Sequence, residues 1–82
     1  MPPLHREHFV DGPFTLKGGK LTFQCGAVLA YDARRAIDAD QVFTVTLTAP
    51  DGAKEATGKV LSVELVKGAA PPRYEIVMRV PR

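Results

Sequence analysis

The sequence predicts an all-β protein, a small antiparallel barrel of about five to six strands with one short helical turn. Several short runs alternate apolar and polar residues with a period of two, which is typical of strands with one buried face. Turn signals built from glycine and proline separate these runs at roughly 8–15 residues. The chain has 82 residues, enough for one domain with one modest core. Closing so small a sheet into a barrel removes its exposed edges, which favours this class.

Residues 1–13 are predicted to form a flexible N-terminal arm, and residues 14–82 a single β-barrel domain. The prolines near the start of the arm disfavour a helix, because proline lacks a backbone N–H and restricts the residue before it. The barrel begins with the short alternation "FTLK". Gly18 and Gly19 follow it and predict a tight hairpin turn, since glycine takes positive φ without steric cost.

The longest strand is predicted over residues 20–30, where every second residue is apolar and is expected to face the core. These residues are Leu21, Phe23, Cys25, Ala27 and Leu29. Gly26 interrupts the run, and a glycine inside a strand indicates a bend or a bulge. Asp32 is expected to cap a helical turn over residues 33–39, and Ile37 to pack that turn onto the core.

Three further strands are predicted from the same alternation, at residues 42–48, 57–66 and 74–80. The stretch "APDG" after the first of them is a strong turn signal, because its proline and glycine occupy positions that a β-turn favours. The alternation assigns three aromatic side chains to the interior: Phe23, Phe43 and Tyr74.

Composition narrows the classes of function. The net charge is +2, from 11 basic and 9 acidic residues scattered along the chain, so composition alone does not predict nucleic-acid binding. The single cysteine, Cys25, has no intrachain disulfide partner, which fits a reducing compartment. The first residues lack the apolar segment of a secretory signal, and no apolar run approaches the roughly 18 residues that span a bilayer. We therefore expect a cytoplasmic protein with no membrane span.

Neither a metal centre nor a catalytic centre is predicted. His5 and His8 have a spacing at which two histidines on a helix chelate a metal, but the nearby prolines disfavour a helix and a third ligand is missing. Cys25 lies in the apolar alternation, where burial raises the pKa of a thiol and makes it unreactive. No Ser/His/Asp set is visible, so we expect a protein that is not an enzyme and uses no cofactor.

From Leu21 onward the sequence resembles the PilZ domain family over about sixty residues. The stretch "CGAVL" looks like the glycine-bearing strand of that family, and "IDADQVFTVTLTAPDG" is similar to its next loop and strand. "ATGKVLSVELVKGAAPPRYEIVMRV" looks like its closing hairpin, where a Gly-Lys-Val step precedes a strand and the final strand opens on an aromatic residue. The resemblance implies a small barrel, and PilZ domains are typically receptors for cyclic di-GMP.

The binding signature of that family is Arg-x-x-x-Arg in the arm and Asp-x-Ser-x-x-Gly on an early strand. Arg6 is the only arginine of the arm here, and Val10 stands four residues after it. With Gly26 as the motif glycine, Leu21 and Phe23 stand where the family has Asp and Ser. The resemblance therefore carries over Arg6 and Gly26, and implies weak or absent cyclic di-GMP binding. It favours a non-enzymatic regulatory module that binds a partner protein.

Arg34 and Arg35 join those two residues as candidate ligand-binding residues. They stand among the acidic residues Asp32, Asp38 and Asp40 in and beside the predicted helical turn. One interpretation is a solvated turn whose charges compensate one another. The other is a contact point for an acidic partner or a phosphate.

Two alternative functions remain open. One is an OB- or SH3-like barrel that binds single-stranded nucleic acid, with Phe9, Phe14 and Tyr31 as stacking platforms. The few aromatic residues and the low net charge weigh against it. The other is a structural subunit of a larger assembly, or a homo-oligomer, in which the threonines of residues 44–48 and outward-facing valines form a sheet contact. These valines are Val28, Val60 and Val77.

Overall fold

The computed structural model describes residues 8–10 and 12–81, which contain six strands and one helix. The elements are β1 (Phe9–Val10), β2 (Phe14–Lys17), β3 (Lys20–Cys25), α1 (Ala27–Asp38), β4 (Val42–Ala49), β5 (Gly52–Leu65) and β6 (Tyr74–Arg79). The strands form one sheet in the order β1-β4-β5-β6-β3-β2. This sheet curls into a half-barrel, so the predicted all-β class with one short helix is confirmed. Every pair of strands is antiparallel except β1 with β4, which run parallel.

Two of the predicted turns form tight hairpins. In the turn between β2 and β3, Gly18 and Gly19 have φ angles of 59° and 78°. A two-residue hairpin turn of this kind needs positive φ at both central residues, which explains the Gly-Gly pair. In the turn between β4 and β5, a Pro-Asp pair separates the partners Ala49 and Gly52.

The predicted strand over residues 20–30 is wrong beyond Cys25. β3 ends there, Gly26 has an extended backbone (φ −82°, ψ −176°) as the N-cap, and α1 begins at Ala27. The run "AVLAYDARRAID" buries one helical face, which consists of Leu29, Ala30, Ala33 and Ala36. Alanine and leucine have high helix propensity. The residues from Ala27 onward therefore form a helix, although the apolar alternation of a strand continues to Leu29.

The helix is longer than the predicted turn, with 12 residues. The prediction that Asp32 caps it is wrong, because Asp32 lies inside the helix and the N-cap makes no side-chain hydrogen bond. Ile37 is half-buried and packs against the core, as predicted.

β5 is the longest strand, and it contains a bulge. Its register against β6 shifts between Val60 and Ser62, which leaves Leu61 as the extra residue. Ahead of the bulge Val60 continues the buried face of β5, and Leu61 is exposed instead. The expected outward position of Val60 is therefore wrong. Of the other two valines, Val28 is exposed and Val77 is half-buried.

The sheet begins inside the segment predicted to be an arm. Phe9 and Val10 pair with Thr46 and Leu47 of β4, and Val10 is only 2% exposed. The backbone N–H of Thr46 donates a hydrogen bond of 2.8 Å to the carbonyl oxygen of His8. Residues 8–10 are thus part of the domain, while residues 1–7 and 11 of the predicted arm lie outside the described residues.

The core lies between the sheet and α1, which packs chiefly on β5. The most completely buried large side chains are Phe23, Leu21, Ile76, Met78, Val10 and Val45. The buried face of α1 is mainly alanine, so its backbone lies close to the sheet. The backbones of β5 and β6 also lie close together at Gly58. A Cβ atom at this position would overlap the carbonyl oxygen of Arg79.

We expect Gly58→Ala to destabilise the fold, because its Cβ would overlap backbone atoms rather than the tip of a movable side chain. The free energy of unfolding should fall by about 2–3 kcal/mol, as for overpacked positions. Urea denaturation followed by circular dichroism measures it. Gly12→Ala is the matched control, since a Cβ at Gly12 meets no described atom within 4 Å, and its change should stay within about 0.5 kcal/mol. Equal stability of the two variants would contradict the close approach.

Candidate functional site

An open cavity of about 300 Å³ lies where β3 ends and α1 begins. A single residue, Gly26, joins the two elements, so the last side chains of β3 and the first turn of the helix share one space. β1 and the loop before β6 close its other sides. The side chains that carry its chemistry are His8, Gln24, Cys25 and Arg73.

The electrostatics of this cavity favour a negatively charged or electronegative group. The first N–H groups of a helix have no intrahelical acceptor and form the positive end of its dipole. The first turn of α1 contains no acidic residue, and Gly26 offers no side chain to cap it. Arg73 adds a positive charge beside the same cavity.

Cys25 is a buried thiol in the wall of this cavity. It is 6% exposed, and burial raises its pKa from 9.0 to about 11, while the positive charge of Arg73 acts in the opposite direction. At neutral pH the group is therefore a neutral thiol rather than a thiolate nucleophile. The prediction of a buried core cysteine is confirmed.

His8 connects β1 to the helix through a contact that the sequence does not predict. Its Nε2 lies 2.9 Å from Oδ2 of Asp32, a distance at which the ring N–H donates to the carboxylate. Its Nδ1 lies 3.4 Å from the carbonyl oxygen of Thr44, and its ring centroid is 4.6 Å from that of Phe43. The pair was not predictable, because residues in an expected arm and an expected cap carry no signal of mutual contact.

A second open cavity, of about 360 Å³, lies on the other side of His8. Its polar lining residues are His8, Asp32, Arg35 and Gln41. His8 therefore lines both cavities, and its partner Asp32 lines the second.

The three predicted ligand-binding residues that the structure describes do not line one common cavity. Gly26 lines the first cavity and Arg35 the second. The guanidinium of Arg35 lies 6.0 Å from the ring centroid of Tyr31, and Arg34 donates a 3.4 Å hydrogen bond to the carbonyl oxygen of Val63. The fourth predicted residue, Arg6, lies outside the described residues.

The three aromatic residues considered as stacking platforms lie on three different elements. Phe9 of β1 is 58% exposed and Tyr31 of α1 is 65% exposed, whereas Phe14 of β2 is half-buried and packs against the core. Phe9 lines the first cavity, and Phe14 lines a separate one beside β3. They do not form one continuous stacking groove.

Within residues 8–10 and 12–81, no group of three or more His, Cys, Asp or Glu side chains is placed to hold a metal ion, and His5 lies outside this part. The same residues include no helix with the length and apolar character needed to cross a membrane. No family model matches the chain, and neither a curated protein nor a solved structure matches it.

The raised pKa of Cys25 predicts a loss of stability at alkaline pH. Because the pKa is higher in the folded protein, the neutral thiol stabilises the fold below pH 9.0, and this contribution is lost as the pH rises to about 11. Between these values the free energy of unfolding should fall on the order of 1–2 kcal/mol more in the wild type than in Cys25→Ala. Urea denaturation at a series of pH values measures both proteins. Parallel pH profiles would contradict the assignment.

Proposed function

We propose that this chain is a non-enzymatic PilZ-like regulatory module of the cytoplasm that acts by contacting a partner protein. In this proposal it binds cyclic di-GMP weakly or not at all. The resemblance of the stretch from Leu21 to Val80, in its hydrophobic order and its turns, supports the family assignment. The neutral, buried thiol of Cys25 supports a role without covalent catalysis.

The burial of Leu21 and Phe23 is the observation that carries the proposal. These residues are 0% and 2% exposed, and they occupy the positions where the ligand motif of the family has Asp and Ser. Charge-assisted hydrogen bonds contribute about 1.5–3 kcal/mol each, so the loss of such anchors removes much of the affinity for a nucleotide. Gly26, the motif glycine, lies just after β3 and is the N-cap of α1.

The outer face of α1 supports a protein contact. Val28 and Tyr31 are 61% and 65% exposed and stand one helical turn apart, with Arg35 beside the tyrosine ring. Phe9, which is also exposed, lines the same cavity as Val28. Exposed aromatic and arginine side chains next to aliphatic ones have the composition of protein interfaces. We call Phe9, Val28, Tyr31 and Arg35 the helix-face patch.

Isothermal titration with cyclic di-GMP tests the nucleotide part of the proposal. We expect no measurable heat at ligand concentrations of several hundred micromolar. This result would correspond to a dissociation constant on the order of 1 mM or weaker. The Arg6→Ala variant is the control for a surviving divergent site. Binding tighter than about 10 μM that this variant abolishes would overturn the proposal.

Photo-crosslinking in cells tests the protein contact. A photoreactive amino acid at position 31, in the helix-face patch, should give one defined protein adduct, because this side chain points into solvent beside an apolar neighbour. Position 54, an exposed lysine in β5 that lines neither cavity beside α1, is the matched control and should give none. Val28→Asp should reduce the adduct at position 31 at least about tenfold by adding a charge to an apolar contact. Equal adducts from both positions would contradict the patch.

A further inference from the structure

Four basic residues lie side by side across four adjacent strands. The register pairs Lys17 of β2 with Lys20 of β3, Lys20 with Arg79 of β6, and Arg79 with Lys59 of β5. All of them are exposed. The residues next to them along β3, β6 and β5 are buried, so the four cations lie on the outer face of the sheet. We call Lys17, Lys20, Arg79 and Lys59 the basic row.

The same register builds an acidic row on the same face. Glu75 of β6 pairs with Glu64 of β5 on one side and with Gln24 of β3 on the other. Arg79 and Glu75 are four residues apart on β6, which separates the two rows by about 13 Å. Between the rows runs a neutral row of small side chains, namely Thr15, Thr22, Val77 and Ser62.

Each charged row is unfavourable within the single chain. Like charges directly opposite one another on neighbouring strands are destabilising. In the described part of the chain, the basic row makes one ion pair, between Lys59 and Asp40 at 2.6 Å, and the acidic row makes none. Arg73 shares a cavity with Glu75 without forming an ion pair to it in the described structure. Opposite charges supplied from outside would relieve both rows at once.

We propose that a second copy of this chain docks on the outer face of the sheet, about a two-fold axis along the neutral row. Rotation by 180° about that axis turns face onto face and exchanges the basic row with the acidic row. Arg79 of each copy then faces Glu75 of the other, and Lys59 faces Glu64. Because the rows are in register on the same strands, both kinds of pair form together and form twice.

The neutral row fits the centre of such an interface. Residues on the axis meet their own counterparts, so Thr22 faces Thr22 and Val77 faces Val77 of the second copy. Threonine, serine and valine are small, and they carry no charge that self-contact would bring together. Two sheets pack face to face at about 10 Å, a separation at which long Arg, Lys and Glu side chains reach across.

Charge complementarity favours a second copy over a nucleic acid. A polyanion would be attracted by the basic row but repelled by Glu64 and Glu75, and the net charge is only +2. Binding of single strands also uses aromatic side chains for base stacking, and the three described rows contain none. A self-complementary face uses both signs of charge.

Analytical ultracentrifugation of the full chain tests the proposal. The wild type should associate to a dimer in about 0.01 M salt and dissociate toward monomer in about 1 M salt, where charges are screened beyond about 3 Å. Arg79→Glu and Glu75→Arg should each weaken dimerisation by at least about tenfold, because each places like charges together. The double variant Arg79→Glu/Glu75→Arg should recover to within about threefold, since it restores the pairs in reverse.

The controls separate this interface from a general effect of charge. Lys54→Glu makes the same change in net charge as Arg79→Glu outside the rows, and it should leave dimerisation unchanged. Circular dichroism confirms that each variant is folded, and the swap Lys59→Glu/Glu64→Lys provides an independent pair should one variant of the first swap fail to fold. A monomer at all salt concentrations, or a double variant as weak as the single ones, overturns the proposal. So does a mixed-sequence DNA that binds the wild-type monomer, loses affinity with Arg79→Glu and gains it with Glu75→Arg.

Discussion

The structure depends on the packing of α1 against the open side of the curled sheet. The sheet ends at β1 and β2, which do not pair with each other among the described residues, so strands alone do not enclose the core. The helix supplies the missing wall, and the alanines at residues 30, 33 and 36 let its backbone come close. Larger side chains there would overpack the interior, which is already dense, and would push the helix away from the sheet. Apolar burial contributes about 25 cal/mol per Å², so covering this side of the core with α1 stabilises the fold.

The same packing positions the cavities. A helix that must lie over the sheet directly after β3 leaves one residue, Gly26, for the change of direction, and Cys25 and the first helical turn therefore share a wall. His8 approaches from the parallel strand β1 and reaches Asp32 because α1 passes beside it. The polar features of this end of the molecule are thus consequences of how the core is closed, and neither cavity exists in the isolated strands or helix.

Local patterns were sufficient where the structure is local. The Gly18-Gly19 turn and the alternation in β4 and β6 are visible in a few consecutive residues, and the structure confirms them. The start of α1 was predicted wrongly, because an alternating run and a helical run overlap for several residues around Leu29. β1 was not predicted, since a strand of two residues shows no periodicity. Charged rows and the His8–Asp32 contact depend on register between distant segments, which no single stretch of sequence records.

The length of β5 has a consequence for how the chain reaches this structure. β5 pairs with β4 along its first part and with β6 along its second, so these three strands form a continuous meander of neighbouring segments. Such local pairings close short loops and form readily. β3 joins this meander only by pairing with β6, for example through Cys25 and Tyr74. This pairing can form only after the whole segment between the two strands has been synthesised. On a ribosome, the helix would be synthesised well before the strand that holds β3 in place, and the cavity at its start would be completed last.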